Sequence, residues 1–222
     1  MMYGEILLII LSIAVGYLFG CFSTGYIVGR MSGHDIRSEG SGNIGTTNAL
    51  RTMGAKGGAL TFGGDLLKTF IPTLAMRFVV CPNMGYSSEM TYLMTLFVGL
   101  GVVIGHNFPF YLKFKGGKGI AVSAAVIVAS SSDSVMGWIM IAAGLLVFIL
   151  VVAATRYVSL GSLIVVWYFP VYTILQYRHW HGFAGLLALS LVFTALAYFK
   201  HAGNIRRLLD GTERKIGQKR EK

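Results

Sequence analysis

The chain has 222 residues, a formal net charge of +10, 55% hydrophobic residues and only 13% charged ones. So apolar a composition, with a mean hydropathy of +0.66, excludes an ordinary soluble globule and points to the membrane class. The positive charge does not indicate a nucleic-acid partner. Most basic residues lie in loops beside apolar runs, where topology and anionic lipid headgroups account for them, and no basic, aromatic-interleaved soluble module is present.

Read in chain order, the apolar runs predict seven membrane helices at 6–28, 59–80, 90–105, 120–131, 135–154, 158–175 and 182–199. The first follows Glu5 with no Lys or Arg before it, so it reads as a retained helix rather than a cleaved signal. A crossing needs about 20 residues, and the third and fourth runs are short, so omitting that adjacent pair would give five crossings. Basic residues alternate across the seven. None precedes the first span; Arg30, Arg37, Arg51 and Lys56 follow it; 81–89 has none. Then come Lys113, Lys115 and Lys118, a loop with none, Arg156, a loop with only Arg178, and a tail with Lys200, Arg206, Arg207, Arg214, Lys215, Lys219, Arg220 and Lys222. The positive-inside rule therefore places the N-terminus outside and the C-terminus inside. The expectation is an all-α polytopic membrane protein, one domain over 1–222, with its polar clusters on the cytoplasmic face. Cys21, in an apolar run, and Cys81, in an expected loop, suggest neither a disulfide framework nor a metal site.

Residues 37–51, Arg-Ser-Glu-Gly-Ser-Gly-Asn-Ile-Gly-Thr-Thr-Asn-Ala-Leu-Arg, read as a polar interhelical loop. Gly40, Gly42 and Gly45 permit a backbone whose N–H groups turn toward an anion. Ser41, Asn43, Thr46, Thr47 and Asn48 add neutral donors, and Arg51 adds a planar fork suited to phosphate. The G-x-G-x-x-G spacing is not a dinucleotide fingerprint, because no strand precedes it. A plain flexible linker would explain the glycines and serines but not two Asn, two Thr and an Arg crowded beside them.

The second cluster runs from His106 and Asn107 through Pro109 to Lys113, Lys115, Gly116, Gly117, Lys118 and Gly119. Gly-Gly-Lys-Gly opens an apolar helix, where free amides and the helix dipole favour an anion. It is not a Walker A loop, since the first Gly and the Ser/Thr after Lys are missing. An interfacial anchor would explain Phe110, Tyr111, Lys113 and Lys115, but not Gly116–Gly119. Asp65 and Lys68, at i and i+3, share a helix face within a span and are each other's expected partner. Arg77 is expected to snorkel outward. In the tail, His201, Asn204 and Arg207 share a helical face, and Arg156-Tyr157-Val158-Ser159 is a short basic turn. The H-x₄-D pair of many membrane acyltransferases is absent; His34 and Glu39 come nearest to it.

These motifs, in order and over nearly the whole chain, resemble the bacterial acyl-phosphate:glycerol-3-phosphate acyltransferase family, PlsY. Thr46 stands where Ala is common there, and Thr69 where Gly is usual. The resemblance implies a seven-helix membrane fold that moves a fatty acyl group from acyl phosphate to the sn-1 hydroxyl of glycerol 3-phosphate, giving lysophosphatidate and phosphate. It implies no cofactor, no metal, no obligate protein partner, and residence in the bacterial inner membrane among its lipids. Ser41, Arg51, Lys118, His201 and Asn204 are then the expected catalytic set. Gly40, Gly42, Asn43, Asn48, Lys68, His106, Asn107, Gly116, Gly117, Gly119, Ser159, Arg207 and Glu213 are the expected substrate-binding set. Residues 116–119 and 41–43 would grip acyl phosphate, while Arg51, Lys68, Ser159, His201 and Asn204 would position glycerol 3-phosphate. The competing class is a transporter of a phosphorylated metabolite, which would more often show internal repeats and midplane polar groups.

Overall fold

The computed structural model describes residues 3–218; Lys219, Arg220 and Lys222 of the basic tail lie outside the described residues. Among the described residues every regular element is helical. The chain divides into two compact units, one up to Ser130 and one from Ser131 onward.

The first unit holds α1 (Tyr3–Cys21), α2 (Thr24–Met31), α3 (Thr46–Ala75) with a π-helical extension (Met76–Val80), the short α4 (Cys81–Asn83), α5 (Ser88–Asn107), a 3₁₀ turn (Phe110–Leu112) and α6 (Ile120–Ser131). Its organising contact is between α1 and α5. A Cβ on Gly16 or Gly20 would sit 2.2 Å from the carbonyl oxygen of Val98 or Val102. One on Gly101 or Gly105 would sit 2.3 or 2.1 Å from that of Ile13 or Tyr17. Both helices thus present a G-x-x-x-G face, and their backbones touch. In lipid, where apolar side chains gain little by meeting one another, such close approach is what holds two helices together.

The first expected span is broken. Residues 22–23 leave the helix between α1 and α2, and the freed backbone groups find side-chain partners. Lys68 Nζ donates to the Phe22 carbonyl at 2.9 Å. Tyr111 Oη donates to the Cys21 carbonyl at 2.9 Å and lies 3.3 Å from the Ser23 amide.

Other boundaries move as well. Residues 46–51, expected in a loop, are the first turns of α3, capped by Gly45, whose carbonyl accepts the Asn48 and Ala49 amides at 3.0 Å. Gly54 then kinks α3 with φ +70°. His106 and Asn107 are the last turn of α5 rather than loop residues. Cys81 begins a helical turn and is buried. Arg77 does not snorkel: it is 6% exposed, and its guanidinium donates to the Ala129 carbonyl in the last turn of α6. That carbonyl is one of the helix-end acceptors that would otherwise lack a partner in an apolar setting.

The second unit holds α7 (Val135–Thr155), α8 (Val158–Val165), α9 (Tyr168–Tyr177), α10 (Phe183–Lys200) and α11 (Ala202–Leu209). The expected span 158–175 is split at residues 166–167 into α8 and α9. Thr194 Oγ1 donates to the Val166 carbonyl at 3.2 Å, and Tyr198 Oη to that of Leu163 at 3.3 Å. Phe169 stacks on Phe193 with ring centroids 4.3 Å apart, fixing α9 against α10.

By length and composition five segments can cross a membrane: Tyr3–Met31, Ser88–Leu112, Val135–Thr155, Val158–Tyr177 and Phe183–Lys200. The other two expected spans differ for identifiable reasons. α6 has only 12 residues. α3 has the length, but glycines, threonines and the Asp65–Lys68 pair lower its hydropathy.

The α1–α5 contact yields a test. Gly105→Val drives a carbon bearing two methyls into the Tyr17 carbonyl and costs about 3 kcal/mol or more, read as a lowered thermal midpoint in detergent. Gly63→Ala, where nothing lies within 4 Å of the added Cβ, leaves the midpoint unchanged or slightly higher.

Candidate functional site

In the first unit, the loop before α3 is shaped by one side chain. Asn48 is 2% exposed, and its amide donates to the Ile36 and Glu39 carbonyls at 3.1 and 3.0 Å. Its Oδ1 accepts the Ser41 amide at 2.8 Å. Gly40 lies so close to that oxygen, with φ +60°, that only glycine fits. Asn43 accepts the Gly45 amide at 2.9 Å, and the Gly42 amide bonds the Glu39 carbonyl. The amides of Ser41, Gly42 and Gly45 are therefore spent inside the loop. Asn48 is a loop clamp, while the side chains of Ser41 and Arg51 are exposed.

The second loop folds back on the end of α5. The Gly116 and Gly117 amides donate to the carbonyls of Asn107 and His106 at 3.1 and 3.0 Å. A Cβ on Gly116 would meet the His106 carbonyl oxygen at 2.1 Å, and one on Gly119 would meet Asn107 Oδ1 at 2.9 Å. The chain reaches this loop through two consecutive non-glycine residues in left-handed conformation, Lys113 at φ 53° and Phe114 at φ 59°. Such strain persists only where surrounding contacts determine the backbone. Gly119 caps α6, accepting the Ser123 amide at 2.8 Å. The first-turn amides of α6 point back along the helix axis toward Lys118, without intrahelical acceptors.

Beneath this loop lies a buried ionic cluster. Lys68 is 4% exposed and Asp65 2%. Lys68 Nζ is 2.8 Å from Asp65 Oδ1 and 2.9 Å from His106 Nδ1, besides its bond to the Phe22 carbonyl. The ammonium donates to the Phe22 carbonyl and to His106 Nδ1 and is ion-paired with Asp65. Lys68, expected to position glycerol 3-phosphate, turns inward instead. His106 Nδ1 is 3.7 Å from Asp65 Oδ1.

In the second unit, Glu213 gathers the expected tail residues. Its Oε1 accepts Ser159 Oγ at 2.8 Å and Asn204 Nδ2 at 2.5 Å, and its Oε2 accepts Arg207 Nε at 2.7 Å. Burial would raise the Glu213 carboxyl, but the bonds from Asn204, Ser159 and Arg207 outweigh it and hold the group below the ordinary carboxylate range. The tail is strapped to the α7–α8 turn: the Arg156 and Ile216 backbones pair through Ile216 N–H at 2.8 Å, and Arg156 Nη2 donates to the Ile216 carbonyl at 2.8 Å. His201 is 2% exposed at the α10–α11 junction, with Nδ1 2.7 Å from the Ala197 carbonyl. A carbonyl only accepts, so Nδ1 carries a proton, and in the neutral ring Nε2 is the acceptor.

Asp65 was expected only as the partner of Lys68; the bond of Lys68 to His106 joins residues 38 apart in sequence and has no local signature. The Phe22 carbonyl and Tyr111 hydroxyl carry no signal at all before the helix break is known. His34 and Glu39, H-x₄-E by spacing, do meet, with His34 Nδ1 3.0 Å from Glu39 Oε2. Among the described residues no cluster of three or more His, Cys, Asp or Glu is arranged to hold a metal.

A family model described as glycerol-3-phosphate acyltransferase matches residues 10–211. The chain is 43% identical over 222 residues to a glycerol-3-phosphate acyltransferase of Clostridioides difficile (strain 630), spanning 98% of this chain and 100% of that one. It is 40% identical over 213 residues to one from Thermoanaerobacter sp. (strain X514), spanning 96% and 98%. Among solved structures it is similar to PlsY, an integral membrane glycerol 3-phosphate acyltransferase, in its glycerol 3-phosphate form. The TM-score is 0.77 at 32% identity, over 94% of this chain and 96% of that one. The lysophosphatidic acid form gives a TM-score of 0.76 at 32% identity, over 94% and 95%.

Two substitutions test the clamps. Asn48→Asp keeps an acceptor for Ser41 but loses both donors and buries a charge. It costs about 2–4 kcal/mol, read as thermal midpoint and as protease cutting within the 37–51 segment. Because the Glu213 carboxyl lies lower in the folded than in the unfolded chain, its stabilisation is complete above about pH 5 and fades as pH falls through the folded value. Glu213→Gln therefore lowers the thermal midpoint at neutral pH, and the gap from wild type closes on acidification.

Proposed function

The chain belongs to the glycerol-3-phosphate acyltransferase family, and from that premise we propose that it uses acyl phosphate as donor and acylates the sn-1 hydroxyl, releasing lysophosphatidate and inorganic phosphate. The observation that most supports this donor is the strained, glycine-only loop that delivers Lys118 and the first-turn amides of α6 together. That is a site of phosphate grade, which an acyl thioester would not require at its reacting end. Because the family match spans 10–211, the acyltransferase is read as the whole chain, one domain, and not as either unit alone. Seven crossings with the N-terminus outside the bacterial inner membrane would give soluble glycerol 3-phosphate access from the cytoplasm. Neither cofactor nor protein partner enters the reaction.

The chemistry needs little beyond placement. Acyl phosphate is a mixed anhydride with a good leaving group. The sn-1 oxygen attacks the acyl carbon, the bond between that carbon and the bridging oxygen breaks, and the departing phosphate, which keeps that oxygen, takes the hydroxyl proton. No protein nucleophile is required, so positioning and charge stabilisation supply the rate. Lys118 and the first-turn amides of α6, in the loop shaped by Gly116, Gly117 and Gly119, serve the acyl phosphate. They are joined by the exposed Ser41 hydroxyl of the segment Gly40, Ser41, Gly42 and Asn43, whose own amides at 41 and 42 are spent within the loop. Arg51 takes a phosphate bidentately, and His201, through the acceptor Nε2, orients the glycerol hydroxyl. Asn204, Ser159 and Arg207 complete the glycerol 3-phosphate contacts, organised by Glu213.

Purified protein in lipid, given palmitoyl phosphate or palmitoyl-CoA with radiolabelled glycerol 3-phosphate, tests the reading. Lysophosphatidate from the phosphate donor alone is expected. Product from the thioester alone would remove the acyl-phosphate assignment, and label accumulating inside sealed vesicles without product would make the protein a transporter. His201→Ala raises KM for glycerol 3-phosphate more than it lowers kcat; a large kcat loss at unchanged KM would make His201 the base. Arg51→Lys loses about tenfold or more in kcat/KM, since a point charge does not replace the fork.

A further inference from the structure

The Asp65–Lys68–His106 cluster is buried and charged inside the first unit, and the reaction described above leaves its charges without a role. A carboxylate 2% exposed requires a cation, and Lys68 Nζ, 2.8 Å from Asp65 Oδ1, is nearer to it than His106 Nδ1 at 3.7 Å. As an ammonium, Lys68 only donates, so His106 Nδ1 must accept its proton at 2.9 Å. The neutral ring then carries its own proton on Nε2. That nitrogen faces the glycine loop: a Cβ on Gly117 would lie 2.0 Å from it. The same residue's carbonyl holds the Gly117 amide at 3.0 Å. His106 thus touches the loop at both its backbone and its ring edge, and the ring is set by Lys68.

We propose that Asp65, Lys68 and His106 form a buried positioning bracket for the phosphate loop. Lys68, anchored by Asp65 and by the Phe22 carbonyl at the α1–α2 break, fixes His106 as the Nε2–H tautomer. It holds that edge against Gly117, so that residues 116–119 keep the shape that receives the acyl phosphate. This inference rests on the acyl-phosphate reading of that loop. Lys68 and His106 are then positioning residues, acting through the loop rather than on glycerol 3-phosphate. The strained Lys113 and Phe114 backbone explains the need, because a loop entered through two left-handed residues relaxes unless something outside it holds its shape.

The test is ¹⁵N NMR of histidine-labelled wild type, with the His106 ring assigned by its loss in His106→Gln, paired with kinetics of Lys68→Met using palmitoyl phosphate. The bracket predicts an Nε2–H ring in wild type. In Lys68→Met it predicts an altered ring signal and a KM for palmitoyl phosphate raised about tenfold or more, with KM for glycerol 3-phosphate within about twofold. A wild-type Nδ1–H ring overturns the proposal, as does a Lys68→Met that raises KM for glycerol 3-phosphate instead. Should Lys68→Met fail to fold, Asp65→Asn must shift the same two readouts in the same direction, and unchanged values there overturn it equally. Wild type that does not consume palmitoyl phosphate counts against the donor, whereas normal turnover with an Nδ1–H ring counts against the bracket alone.

Discussion

The backbone contact between α1 and α5 is the constraint on which the first unit depends. Gly16 and Gly20 on one helix meet Gly101 and Gly105 on the other, each where a Cβ would fall about 2 Å from a carbonyl oxygen. One residue past Gly105 is His106, and two past Gly20 is Phe22, the first residue beyond α1. Bringing the two helices to backbone contact therefore places a broken helix end beside the last turn of α5. The ammonium of Lys68 bridges them at 2.9 Å each way. A single buried cation hydrogen-bonds the freed carbonyl and the imidazole and neutralises the carboxylate of Asp65. The glycine loop is built on that imidazole.

Both units use the same device for polar groups in an apolar setting. A helix is interrupted, and the exposed carbonyl is given to a side chain from another helix: Phe22 to Lys68, Leu163 to Tyr198, Val166 to Thr194, Ala129 to Arg77. Lipid offers no water to do this, so each break needs a dedicated donor. Glu213 plays the inverse part at the tail, as one acceptor organising three donors from α8 and α11.

Much of this was legible in the sequence. Apolar runs gave the helical class, and local spacing gave the Asp65–Lys68 pair and the shared face of Asn204 and Arg207, which meet at Glu213. The helix breaks at Phe22 and Val166 were legible only in part. Pro170 removes the amide that would bond the Val166 carbonyl and Ser23-Thr24-Gly25 follow Phe22, but the side chains that take up the freed carbonyls lie far along the chain. Arg77 was misread for the same reason: its acceptor, Ala129, lies 52 residues on. The start of α3 was missed because glycine at 45 and 54 suggests a loop, whereas Gly45 caps and Gly54 kinks. The paired G-x-x-x-G faces were present in both helices as printed letters, but their meaning depends on which helices meet.

The account's central claim is that placement suffices and no residue of this chain carries the acyl group. It is tested most directly by incubating the lipid-embedded enzyme with palmitoyl phosphate alone, quenching rapidly and measuring its intact mass. The expected result is an unmodified chain, and on later addition of glycerol 3-phosphate a single kinetic phase of lysophosphatidate formation. A palmitoylated protein that forms at the rate of turnover and passes its acyl group to glycerol 3-phosphate would contradict it.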